Sequence, residues 1–211
     1  MKILGIAAGA TLFACNLVSF SQSDVPCGQT IDASLRPGAT LTIDSRPAGI
    51  EIVGTDQDAI HVSCTADDAD SARHIHLRFS GTPTHARLTI KSTDRQNGKL
   101  QLRVEVPRKT NLEVQMPAGE VKVNEVVGDK DIDVHAGKIS ISSARDWDYR
   151  NINASVDIGE VNAQLYDADK GGFFRVFRKE NADGEYQLHA HVITGQIDLL
   201  GKNARTAANS Q

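Results

Sequence analysis

Apolar and polar positions alternate along most of this chain. Leu41-x-Ile43, Ile50-x-Ile52, Ile60-x-Val62-x-Cys64, Ile75-x-Leu77-x-Phe79, Leu88-x-Ile90 and Leu100-x-Leu102-x-Val104-x-Val106 follow one another between Gly, Pro and Asp positions. Period-two alternation of this kind marks strands with one buried and one wet face. No segment sustains a 3.6-residue period, and residues 67–73 offer room for one helical turn at most. The pattern predicts an all-β protein with very little helix.

After Pro107 the alternation becomes a repeat. Four segments align on Gly119, Gly137, Gly159 and Gly195. Apolar residues stand one, three and five places before each glycine, with Thr194 the exception, and two and four places after it. The residues directly after the glycines are Glu120, Lys138, Glu160 and Gln196, all polar. An even step across the glycine would preserve the pleat, but the step is odd, so the strand phase slips by one there. A bulge or corner does this, and glycine accepts the dihedrals involved. The first three glycines recur about every 20 residues, a period typical of stacked repeats. The last gap is wider and holds an irregular stretch, residues 166–184. Two architectures fit: a right-handed β-solenoid-like stack with its glycines at one corner, or a β-sandwich or roll of hairpins. The period and the lack of Asn-Gly or Asp-Gly turns at the glycines favour the stack.

The ends of the chain add targeting. Lys2 precedes an uncharged, nearly apolar run over residues 3–13 of this 211-residue sequence. That is the layout of a secretory leader, taken as residues 1–23. Leu12-Phe13-Ala14-Cys15 resembles a lipobox and makes Cys15 the alternative lipidation site, the only route by which a membrane contact is expected. Residues 24–39 read as an N-terminal arm, 40–202 as the β-repeat domain and 203–211 as a disordered tail. An exported location leaves Cys27 and Cys64 as a candidate disulfide pair, with two free thiols as the other reading. Net charge is −4 and no basic cluster stands out, which speaks against nucleic acid. Aromatics make up only 5%, so the core must be aliphatic.

The runs VPRKTNLEVQMPAGEVKV, DIDVHAGKISI, VDIGEVNA and GEYQLHAHVITGQIDLL resemble the bacterial putative-adhesin β-strand-repeat family, a domain-of-unknown-function group of exported and envelope proteins. The resemblance covers roughly residues 40–200. It implies a right-handed, solenoid-like all-β fold and no catalytic residues. Ala48-Gly49-Ile50-Glu51-Ile52 departs from the pattern, because no spacer follows its glycine.

Candidate chemistry is sparse. The pairs His74/His76 and His189/His191 each lie on one strand face, and His135 could approach the second pair across units. No Cys or carboxylate completes a ligand set, so solvent-facing histidines are expected, with no metal and no cofactor. Glu120 and Glu160 occupy one slot two units apart, about 10 Å at strand spacing, too far for a glycosidase pair. The most unusual patch is Phe173, Phe174, Arg175, Phe177 and Arg178: either a cap over the end of the repeat or a contact site for a partner or glycan. The expected function is non-catalytic: a structural, adhesive or interaction role at the cell envelope, through an envelope protein or surface glycan. A periplasmic accessory of envelope-stress signalling and, more remotely, a carbohydrate-active enzyme are the alternatives.

Overall fold

The computed structural model describes residues 20–92, 100–142 and 148–200. Most of the leader, Cys15 and the expected tail lie outside them. Thirteen strands form one mixed sheet: β1 (Phe20–Pro26), β2 (Ile31–Ser34), β3 (Ala39–Asp44), β4 (Ala48–Thr55), β5 (Ala59–Ala66), β6 (Ile75–Thr82), β7 (His85–Ser92), β8 (Leu100–Pro107), β9 (Thr110–Asn124), β10 (Lys130–Ser142), β11 (Tyr149–Ala163), β12 (Ala168–Glu180) and β13 (Tyr186–Leu200). The one α-helix among the described residues, α1 (Ala69–His74), falls in the stretch that offered a helical turn, and Asp68 caps it by accepting from Ser71 N. β1 begins inside the expected leader, and residues 24–39, expected as an arm, carry the rest of β1, all of β2 and the first residue of β3. Both early strands are short and polar, with alternation too brief to read.

The repeat units are long strands, β9, β10, β11 and β13, and they pair in parallel and in register. Their spatial order is β9-β10-β13-β11, not the order of the sequence. The last unit therefore inserts between the second and third, and a simple coil-after-coil stack is not what forms. The wide gap before the fourth glycine holds the reason. Residues 168–180, read from the sequence as irregular, form β12, which runs back antiparallel along β11 and occupies its outer edge. The chain must then return on the other side of β11.

Each long strand pairs with different partners through its two halves. The first half of β9 pairs with β3 and the second half with β4. From β3 the sheet continues through β7 and β6 to β1, and from β4 through β8 and β5 to β2. Inward residues on both sides of the glycines, such as Val114, Val121, Ile132, Ile139, Val192 and Ile197, enter one core. The phase slip makes this possible: without it one half of each strand would turn its apolar row to solvent.

The phase expected at the glycines needs one correction. The last inward residue before the corner is the third one back, as with Met116, Val134, Val156 and Val192. The residue directly before the glycine points outward, and Ile158 in that slot is 48% exposed. The slip survives, since the step between inward positions is still odd. Ala48, not Gly49, meets Gly119 across the β4–β9 ladder. Aligned on Ala48, Leu41, Ile43, Ile50 and Ile52 fall on the inward rows, so β3 and β4 form one more level of the stack. The missing spacer disappears once the alignment moves by one residue.

A candidate contact site at the edge of the stack

β12 closes one end of the sheet, so one of its sides has no neighbouring strand among the described residues. Its inward row holds Phe177, which is 8% exposed and stacks on Tyr166 with ring centroids 5.3 Å apart. Phe177 is therefore a lid over the apolar interior. Phe173 and Phe174 are 68% and 78% exposed. The five-residue patch singled out from the sequence thus divides into a buried cap and an exposed pair of aromatics. Phe173 stands opposite Ile158 on β11. Val176 and Ile193 complete the set of exposed large hydrophobics among the described residues, and the registers place all five within three adjacent strands. Scattered exposed apolar side chains are ordinary, whereas a contiguous group marks a contact surface. Sequence reading counted Ile158 as a core position; only its place at the corner shows otherwise.

The backbone holds this patch out. Gly172 meets Gly159 at the corner level, and Phe174 has φ +50°. A bulky residue in left-handed backbone costs about 1–3 kcal/mol and persists only where surroundings enforce it. Arg175 and Arg178 flank the aromatics and are exposed. Arg175 Nε donates to the Gly171 carbonyl at 2.6 Å. No carboxylate among the described residues pairs with either arginine, whereas Arg78, Arg87, Arg103 and Arg108 are all ion-paired.

The outer face beside the patch is polar. Asp131 and Asp133 on β10 stand opposite His189 and His191 on β13. His191 lies 3.6 Å from Asp133 and 3.7 Å from Asp157. A cleft of about 360 Å³ opens over Asp44, Arg87, Glu113, Asp131, Asp133 and His189. Among the described residues no His, Cys and carboxylate group has the geometry of a metal site. His135 lies one position from the Ala136–Thr194 pair, on the outside of the corner. His74 ends α1, and His76 pairs with Asp24 at 3.1 Å. Glu120 and Glu160 are separated by Lys138 and Gln196, because β13 lies between their units. That is three strand spacings, about 14 Å, and not the two expected. Inside the stack, the void lined by Ile141, Tyr149, Leu165 and Leu188 is about 10 Å³, room for one water.

Cys27 and Cys64 are joined by a disulfide, with Cα atoms 5.1 Å apart. Both are buried, and the bridge ties the β1–β2 connection to β5.

Lys130 is the residue that sequence reading missed. It stands between Leu112 and Leu188 in an inward row and is 2% exposed. Its Nζ donates to the Gly128 carbonyl at 3.1 Å and to Tyr149 Oη, 5.0 Å from that ring's centroid. The signal was present as a lysine breaking an apolar row, but with the unit counted from Ile132 it fell outside. Burial pushes its pKa down to about 7, against the raising pull of Asp148 and Asp129. The same burial raises the Tyr149 phenol. Between pH 7 and about 10 the unfolded chain binds the proton that the native lysine has lost, so stability rises with pH through that window. Relative to Lys130→Met, the wild type should gain about 2–3 kcal/mol from pH 6 to pH 9 in urea unfolding. Parallel pH profiles would show that the lysine keeps an ordinary pKa.

No family model and no curated relative matches the chain. Among solved structures, the fold is similar to that of a putative cell adhesion protein from Clostridium sporogenes, with a TM-score of 0.53 and 10% identity over 82% of this chain and 99% of that one. At that identity the likeness is one of fold.

Proposed function

We propose that this chain is an exported, non-catalytic adhesion protein of the cell envelope, whose right-handed solenoid-like stack presents a contact surface at its β12 edge. The clustering of Phe173, Phe174, Ile158, Val176 and Ile193 on that edge carries the reading. Exposed aromatics beside arginines that have no carboxylate partner among the described residues have the composition of interface hot spots. The interior is filled by aliphatic side chains, which leaves the outer face and the β12 edge as the surfaces available for contact. The disulfide suits an oxidising compartment, and the resemblance in fold to a putative cell adhesion protein points the same way.

The test is adherence of protein-coated beads to envelope fragments. Phe173→Ser with Phe174→Asn, the latter chosen because Asn tolerates left-handed backbone, should reduce retention by about tenfold or more, equivalent to the loss of one hot spot. Thermal unfolding should move little, since neither ring enters the core. Undiminished retention would remove the patch from the binding surface. Release of reducing ends from envelope polysaccharide by the wild type would overturn the non-catalytic reading.

A further inference from the structure

Five adjacent strands, β9-β10-β13-β11-β12, share one outer face with β13 at its centre. The registers fix what each outward row presents. One row reads Glu113, Asp131, His189, Asn153, Arg178. Another, just before the corner, reads Pro117, His135, Ile193, Asp157, Phe174, each residue lying between paired neighbours on its strand. The first row runs from acidic to basic. The second has an apolar residue at each end and at its centre, with a histidine and an aspartate between.

A twofold axis along β13 maps β12 onto β9 and β11 onto β10. It keeps every row over itself, so Arg178 meets Glu113 of a second copy, Phe174 meets Pro117, His135 meets Asp157, and Ile193 meets its own symmetry mate. We infer that the contact surface is homotypic: two copies pack these outer faces together about a twofold axis along β13. This rests on the proposed adhesive reading and names its partner. The five exposed apolar side chains offer roughly 400–600 Å². That falls short of the ~800 Å² per partner of a standard interface, so a stable contact must include the polar rows beside them. The charge pattern supplies the selection: among the described residues no carboxylate pairs with Arg178, and Glu113 accepts a hydrogen bond from the Thr42 hydroxyl at 3.0 Å with no cation beside it. The arrangement is isologous and closes at two copies, which leaves no aromatic edge open for further growth.

Sedimentation of the full chain over a concentration series tests it. The wild type should form a dimer. Arg178→Glu and Glu113→Arg should each weaken it by about tenfold or more, and the double reversal within one chain should restore it to within about threefold. Ile193→Cys should give a covalent dimer with a short bis-maleimide, since Ile193 lies on the axis. Monomer at every concentration, or a dimer indifferent to both charge reversals, overturns the inference. If the wild type stays monomeric while Phe173→Ser with Phe174→Asn still loses its hold on envelope fragments, the adhesive reading stands and the homotypic partner is wrong. Binding of the monomer to vesicles of anionic lipid in place of self-association has the same consequence.

Discussion

Replacing Gly137 by alanine is expected to destabilise this protein by about 4 kcal/mol or more, or to prevent folding altogether. Two independent costs meet at that position. The backbone has φ +142°, a region that an L side chain rarely enters. A Cβ there would also lie 1.8 Å from the Gly119 carbonyl oxygen on the next strand. The obstructing atom is backbone held in a parallel ladder on both sides, so relaxation would have to move neighbouring levels together. Gly195 and Gly159 have the same geometry, each 1.8 Å from the carbonyl of the next glycine. In a chain of this size, 4 kcal/mol corresponds to roughly 8–16 °C in Tm. Gly171 supplies the control. It also lies in a strand, but a Cβ there meets nothing within 4 Å. Gly171→Ala should leave stability within about 0.5 kcal/mol of the wild type. Equal effects at the two sites in thermal or urea unfolding would show that the glycine stack imposes no special constraint.

Removing the disulfide is expected to have the next largest effect. Cys27→Ala with Cys64→Ala reopens a loop of sequence separation 37, worth about 4 kcal/mol of unfolded-state entropy. The segment it secures has little else. β2 contributes four residues paired with β5, and β1 lies at the far end of the sheet against β6 alone. Around the bridge, Cys27 N donates to the Ile75 carbonyl at 2.9 Å and Gly28 N to the Cys64 carbonyl at 3.2 Å. Loss should therefore appear first as faster amide exchange in β1 and β2, with the repeat strands still protected. Because both cysteines are buried, dithiothreitol should act on the native protein only as fast as this region opens. Uniform loss of protection across all strands would show that the bridge supports the whole fold and not its first edge.

The glycine stack and the aromatic edge differ in how far the sequence exposed them. Gly119, Gly137, Gly159 and Gly195 were legible because each sits between inward residues with a fixed odd step, a consequence of strand geometry alone. Ala48 holds the same level but was hidden, since a glycine one place later drew the alignment to itself. β12 was hidden for another reason. As an edge strand it buries Phe177 on its inward row while Phe173 and Phe174 stay out, so no alternation marks it. The contact site was visible as a composition, three phenylalanines with two arginines. Its division into cap and surface depended on which rings had a neighbour beneath them.

Local chemistry by itself determined the all-β class, the positions of most strands, the phase slip at the repeat glycines and the wet face beside them. Those follow from a two-residue side-chain period and from the dihedral freedom of glycine, which act within a few residues of chain. Only the tertiary structure decided that β13 lies between β10 and β11, that Glu120 and Glu160 stand three strands apart, that Lys130 is buried and that Arg178 shares a face with Glu113. Each is a statement about which strands become neighbours. Parallel in-register ladders are available between any two of these similar units, so the sequence of one unit does not name its partner. The return of β12 along the edge of β11 makes that choice.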